Sequence, residues 1–154
     1  MMTRTFSVRP LLVLLFAAAA SCDSGATAEP NSTFPTIDYV RFVIGGRVVS
    51  VNALGAESGG PATVRVGTTV ALTATFHMPN GVVDPRVTAD SYQLTLQHLA
   101  GAPLTYEPSP TNPFGGTLTA TQTAGGASFR LSLIETTSQR IQFGPYGLTL
   151  TVIQ

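Results

Sequence analysis

The chain is predicted to be an all-β sandwich of about seven to nine antiparallel strands. Three observations lead there: from residue 37 onward no stretch of about eleven or more places apolar residues at helical spacing, valine and threonine alternate with period two, and Gly or Pro interrupts the runs at short intervals. Strands with one apolar and one threonine-rich face bury the apolar face most simply by packing two sheets together.

The first element is a hairpin turning at Gly45-Gly46, a two-residue connection in which both glycines accept the positive φ of a type I′ turn. This turn places Phe42 opposite Val49 and Val40 opposite Val51 on the core face. Arg41 opposite Ser50 and Tyr39 opposite Asn52 fall on the wet face, where Tyr39, Arg41 and Asn52 form a candidate binding surface. The alternation returns in Val64 and Val66, then in Val70, Leu72, Ala74 and Phe76 with threonines between, and again in Tyr92, Leu94 and Leu96. Gly115-Gly116 introduces Leu118 and Ala120, Gly125-Gly126 introduces Phe129, Leu131 and Leu133, and Gly144-Pro145-Tyr146-Gly147 opens a last strand with Leu148, Leu150 and Val152. Between residues 102 and 114, four prolines in eleven residues exclude a central strand, because each lacks a ladder donor. That stretch is either a binding loop displaying Tyr106 and Phe114 or a crossover between sheets with both aromatics packed inward, and the crossover is the preferred reading.

The run Val64-Arg-Val-Gly67-Thr-Thr-Val-Ala-Leu72-Thr-Ala-Thr-Phe76 resembles the early part of bacterial immunoglobulin-like domains, and Phe114 to Val152 is similar to short immunoglobulin-like bacterial lipoproteins. The resemblance implies an immunoglobulin-like sandwich, though the disulfide pair and buried Trp of antibody domains are absent. Some of those lipoproteins carry histidines near the stretch occupied here by Glu135 to Gln142; this chain has none there, a departure that weighs against a shared metal role.

The front of the chain reads as an address. Residues 1–10 contain Arg4 and Arg9 and no acid, and Leu11 to Ala20 is an apolar run of ten, half of the roughly 20 residues a membrane-crossing helix needs. Ala19-Ala20-Ser21-Cys22 resembles the lipobox of bacterial lipoproteins, with Ala19 where leucine is commoner. The resemblance implies a signal peptide over 1–21, a diacylglyceryl thioether on Cys22, and a mature protein held on the membrane of a bacterial cell envelope. Asp23 resembles the inner-membrane retention signal of enteric bacteria, a rule that transfers poorly between phyla, so which membrane stays open. The alternative is an ordinary secretory signal cleaved near Ala20, with Cys22 a free thiol. Residues 22–36 are small, polar and Pro-bearing and read as a flexible tether, with a reach on the order of 20 Å, ahead of the domain at 37–154. Asn31-Ser32-Thr33 is a chance match to a glycosylation acceptor.

Charge and cysteine content narrow the function. There is no lysine, and removal of the signal leaves six arginines against eight acids, so neither nucleic acid nor a polybasic lipid contact has an electrostatic footprint. With Cys22 as the single cysteine no disulfide forms, and the fold rests on its core.

Candidates for chemistry are few. His77 falls on the outward phase of its strand and is expected to be solvated, whereas His98 falls on the apolar phase at a sheet rim, so the two do not converge. His77 beside Met78 would suit a soft metal, but zinc wants three or four ligands in one place. Asp84 and Asp90 bracket a Pro-containing stretch without a calcium-loop pattern and read as solvated loop acids. No Gly-x-Ser-x-Gly elbow is present. The expectation is a non-enzymatic module without cofactor, structural or protein-recognising, whose partner beyond the membrane is another envelope protein. The alternative is a small-ligand or metal-binding lipoprotein, a periplasmic carrier or sensor using His77, Met78 and neighbouring loops.

Overall fold

Each apolar strand face needs a second face to pack on, and the computed structural model, which describes residues 34–122 and 124–154, supplies it as two sheets. The segment read as a signal peptide, Cys22 and the tether as far as residue 33 lie outside the described residues. The strands are β1 (Tyr39–Ile44), β2 (Arg47–Asn52), β3 (Glu57–Ser58), β4 (Ala62–Arg65), β5 (Thr69–His77), β6 (Tyr92–Gly101), β7 (Leu104–Pro108), β8 (Gly115–Ala120), β9 (Gly125–Glu135) and β10 (Ile141–Ile153). One sheet runs β3-β2-β1-β5-β8-β7 and the other β4-β10-β9-β6. All named pairings are antiparallel except that of β4 with β10, where Leu150 lies beside Ala62 and Val152 beside Val64.

The order is that of an immunoglobulin-like sandwich: β1, β5, β8 and β7 stand as strands A, B, E and D, and β6, β9 and β10 as C, F and G. The ten strands among the described residues exceed the expected count because two short elements carry no apolar alternation to announce them. The two-residue β3 extends one edge, and β7 lies inside the Pro-rich stretch, at the other edge where a missing N–H costs nothing to the ladder. Among the described residues there is no helix, and none long and apolar enough to cross a membrane.

The first hairpin has the register its turn requires. Gly45 and Gly46 have φ of 56° and 84°, Phe42 pairs with Val49, and Arg41 pairs with Ser50. The inward phases of β1, β5, β8, β9 and β10 meet in one core, in which Phe42, Phe76, Phe129, Leu131, Leu133, Leu148 and Leu150 are fully or almost fully buried. Each such side chain contributes about 1.5–3 kcal/mol by leaving water.

Residues 102 and 103 carry the chain from one sheet to the other, which is the crossover. A glycine is required where it leaves β6: Gly101 has φ 92°, and a Cβ there would lie 1.9 Å from the carbonyl oxygen of Gly126. Beyond β7, the Pro113 carbonyl returns to accept a hydrogen bond from Leu94 N–H, capping part of the free edge of β6. Two boundaries differ from expectation. The Gly144-Pro145 pair does not open the last strand but sits inside β10, where the pairing with β9 shifts register twice between Ile141 and Tyr146. Pro35 and Thr36, grouped by composition with the tether, are fastened to the domain: Pro35 is buried with its carbonyl accepting from Gln142 Nε2, and Thr36 N–H donates to Asp84.

Candidate functional site

On the outer face of the six-stranded sheet, β1 lies between β2 and β5, so each outward residue of β1 has a cross-strand neighbour on both sides. Tyr39 sits between Asn52 and His77; Arg41 sits between Ser50 and Thr75, with Ser58 next to Ser50. Strand pairing thus brings together the three residues singled out as a binding surface and adds His77, Ser50 and Ser58 to them.

His77 lies on the outer face, as its phase requires, but it is not solvated: only 7 % of its surface is exposed. Its ring stacks on Tyr39 with centroids 4.6 Å apart and planes 4° from parallel. Nδ1 lies 2.9 Å from the Gly81 carbonyl, which only accepts, so Nδ1 donates; Nε2 lies 2.9 Å from Thr75 Oγ1. The cover is the loop after β5, which folds back through Met78 N–H to Val82 O, Asp84 N–H to Phe76 O and a bridge between His77 and Val83. Period-two phasing assigns a residue to a face but says nothing of a loop lying over it.

The same loop overturns the reading of Asp84 as a solvated acid. Its side chain is fully buried, and Arg86 grips it through Nε to Oδ1 and Nη2 to Oδ2, both at 2.8 Å, with further hydrogen bonds from the N–H groups of Arg86 and Thr36 at 3.0 Å. Burial alone would push this carboxyl up. The hydrogen bonds from the Arg86 side chain and from the backbone of Arg86 and Thr36, together with the Arg86 charge, hold it below the usual aspartate range. Asp90 is exposed.

Beside Tyr39 the sheet forms a shallow depression of about 470 Å³ lined by Tyr39, Arg41, Ser50, Asn52, Ala56, Glu57 and Ser58. Because His77 stacks from the β5 side, the other face of the Tyr39 ring looks over Asn52 towards this depression. Asn52 Oδ1 is saturated by the N–H groups of Leu54 and Ala56 at 3.0 and 2.9 Å, which leaves its amide N–H₂ to donate. The Glu57 carboxylate is directed elsewhere, accepting from Thr149 Oγ1 at 2.9 Å. Among the described residues no hydrogen bond or ion pair holds the Arg41 guanidinium.

The remaining candidates lie apart. His98 is on the edge strand of the other sheet, exposed, with its ring edge-on to Phe129 at 5.3 Å and Nε2 3.1 Å from the Ala102 carbonyl. Met78 Sδ faces Arg86 Nη2 at 3.8 Å. No group of three or more His, Cys, Asp or Glu side chains suited to a metal occurs among the described residues. Tyr106 and Phe114 are half-buried lids on the core: Tyr106 donates to the Gly115 carbonyl at 2.9 Å, and Phe114 meets Phe76 edge-on with centroids 5.5 Å apart. Burial pushes the Tyr106 phenol up. Tyr106→Phe, which deletes that donor and keeps the ring, is expected to cost about 1 kcal/mol in a denaturant melt. A cost above about 3 kcal/mol or below the error of the measurement would contradict this packing role.

Compared with known proteins, the chain matches no family model, no curated protein and no solved structure.

Proposed function

We propose that the chain is a non-catalytic recognition module of a bacterial cell envelope, lipid-anchored at Cys22 and presenting the outer face of its six-stranded sheet to a ligand. The observation that carries the recognition role is the depression beside Tyr39, where Arg41 stands without a partner among the described residues and in company with hydrogen-bond donors. A cation exposed on a sheet face is solvated at no cost, and it becomes a recognition element when a preformed cleft surrounds it. The reading as an anchored envelope protein rests on the basic start, the short apolar run and the lipobox-like Ala19-Ala20-Ser21-Cys22.

The small-ligand form of this role is favoured over the metal-binding form by one feature. Both ring nitrogens of His77 are engaged, by Thr75 and Gly81, so this histidine supports the Tyr39 ring rather than offering a lone pair to the solvent.

Anchoring is tested by expressing the chain with a labelled fatty acid. The wild type is expected to incorporate label and remain with membranes, and Cys22→Ser to lose both label and lipoprotein-type processing. Recovery of processed, unlabelled wild-type protein in a detergent-free soluble fraction would refute it.

A further inference from the structure

We infer that the depression beside Tyr39 binds an acidic saccharide, a sugar ring bearing a carboxylate, with the ring on Tyr39 and the carboxylate on Arg41. The inference rests on the recognition reading above and gives its ligand a chemical class.

The donor balance sets the sign of the ligand. Facing the depression are the guanidinium of Arg41 with five N–H groups, the amide N–H₂ of Asn52, and the hydroxyls of Ser50 and Ser58, none of which is otherwise hydrogen-bonded among the described residues. Of the acceptors that could have balanced them, Asn52 Oδ1 is taken by two backbone N–H groups, and Glu57, paired with the buried Val51, sets its Oε1 on Thr149 of the other sheet. A site rich in donors, whose cation has no partner among the described residues and whose lining carboxylate, Glu57, is turned to Thr149, is complementary to a singly charged, oxygen-rich ligand.

The Tyr39 ring sets the shape. It is clamped by the parallel His77 ring, which is itself held at both nitrogens, so its free face is a rigid platform that a flat ligand meets without an ordering cost. The walls are Ser, Asn, Ala and Glu rather than Leu or Phe, so there is no socket for a large apolar side chain of a peptide. A pyranose suits these surfaces. Its axial C–H groups lie on the aromatic face, its hydroxyls exchange hydrogen bonds with Ser50, Ser58 and Asn52, and a ring carboxylate takes the Arg41 fork. The site continues along the sheet as the exposed Thr73 and Thr75 on β5, a polar track for neighbouring sugar units in which the Thr75 hydroxyl is already engaged with His77.

The test is calorimetric titration of the full chain in detergent with three probes: an oligouronate, the neutral oligosaccharide of the same linkage, and inorganic phosphate. The oligouronate is expected to bind, and the neutral chain to bind about tenfold to a hundredfold more weakly, the worth of one charge-assisted carboxylate pair. Arg41→Gln should weaken the oligouronate by a similar factor while leaving the melting temperature unchanged, since Arg41 is exposed. Arg41→Lys should recover only part of the affinity, because an ammonium lacks the fork. Equal binding of the neutral chain, oligouronate binding indifferent to Arg41→Gln, competition by phosphate as strong as by the uronate, or no binding of the oligouronate would each overturn the inference. Lipid labelling at Cys22 is measured independently of any ligand, so the anchoring proposal and the ligand class can fail separately.

Discussion

Phe42→Ala is expected to destabilise the domain by about 3–5 kcal/mol, out of a total that for such domains is about 5–15. Phe42 is wholly buried on the central part of the six-stranded sheet, paired with Val49 on one side and Ala74 on the other. Small neighbours on both flanks leave the ring no substitute to collapse into its place, so the loss includes a cavity as well as the transfer of the ring to water. One residue further along the ladder, Ser50 lies half-buried on the opposite face, and Ser50→Ala should change stability by no more than about 0.5 kcal/mol. Urea melts of the two variants measure the contrast. If both were equally mild, the inward and outward sides of the first hairpin would be exchanged.

Asp84→Asn is expected to cost about 2–3 kcal/mol and to change the acid limb of the stability profile. The substitution keeps the shape but places an N–H₂ where the carboxylate accepts from Arg86 or Thr36, so donor meets donor on a fully buried side chain. The figure stays below that for a sealed ion pair because the Arg86 side chain is 29 % exposed and can turn to water. The carboxyl of Asp84 is held below its ordinary value, so its stabilisation is complete above the unfolded aspartate pKa of about 3.9 and is lost as the pH falls through the lower folded value. Melts from about pH 5 to about pH 2 should therefore show the wild type and Asp84→Asn converging as the wild-type carboxyl takes up its proton. A gap that stayed constant over that range would mean that Asp84 is not the titrating group.

The parts of this fold legible in the sequence are those governed by local geometry. Gly45-Gly46 admits few turns, and the turn fixes which of Phe42 and Arg41 points inward; the alternations at 70–76, 92–96, 129–133 and 148–152 do the same for the other long strands. The elements that were not legible depend on contacts distant in sequence. β3 has two residues and forms only because β2 offers it an edge, and Gly144-Pro145 stays within β10 because β9 continues to pair on either side of the register shifts. For the site, the pairing of Tyr39 with Asn52 across the hairpin was accessible. The pairing of Tyr39 with His77 joins β1 to β5 with no turn between them to set the register. The burial of His77 and Asp84 came from the loop at 78–86, whose Pro, Asn and Gly residues mark a turn without indicating what it folds over. Asp84 and Arg86, two residues apart in a polar loop, are the one signal that could have been taken as an ion pair.

The fastening of Thr36 to Asp84 also decides how the molecule would carry mechanical load. A pull on the N-terminal end enters the domain at Pro35 and Thr36 and passes directly into β1, a strand held by ladders to β2 on one side and β5 on the other. Tension along β1 must shear both ladders together rather than peel one open, because the strand has no free edge. Tyr39 and Arg41 lie on this same strand, so a grip on the outer face and a tether at the N-terminus would be joined by a few residues of β1. The hydrogen bond from Gln142 to Pro35 would pass part of the load to β10 of the four-stranded sheet, whereas the far edge at β7 would stay outside the line of force.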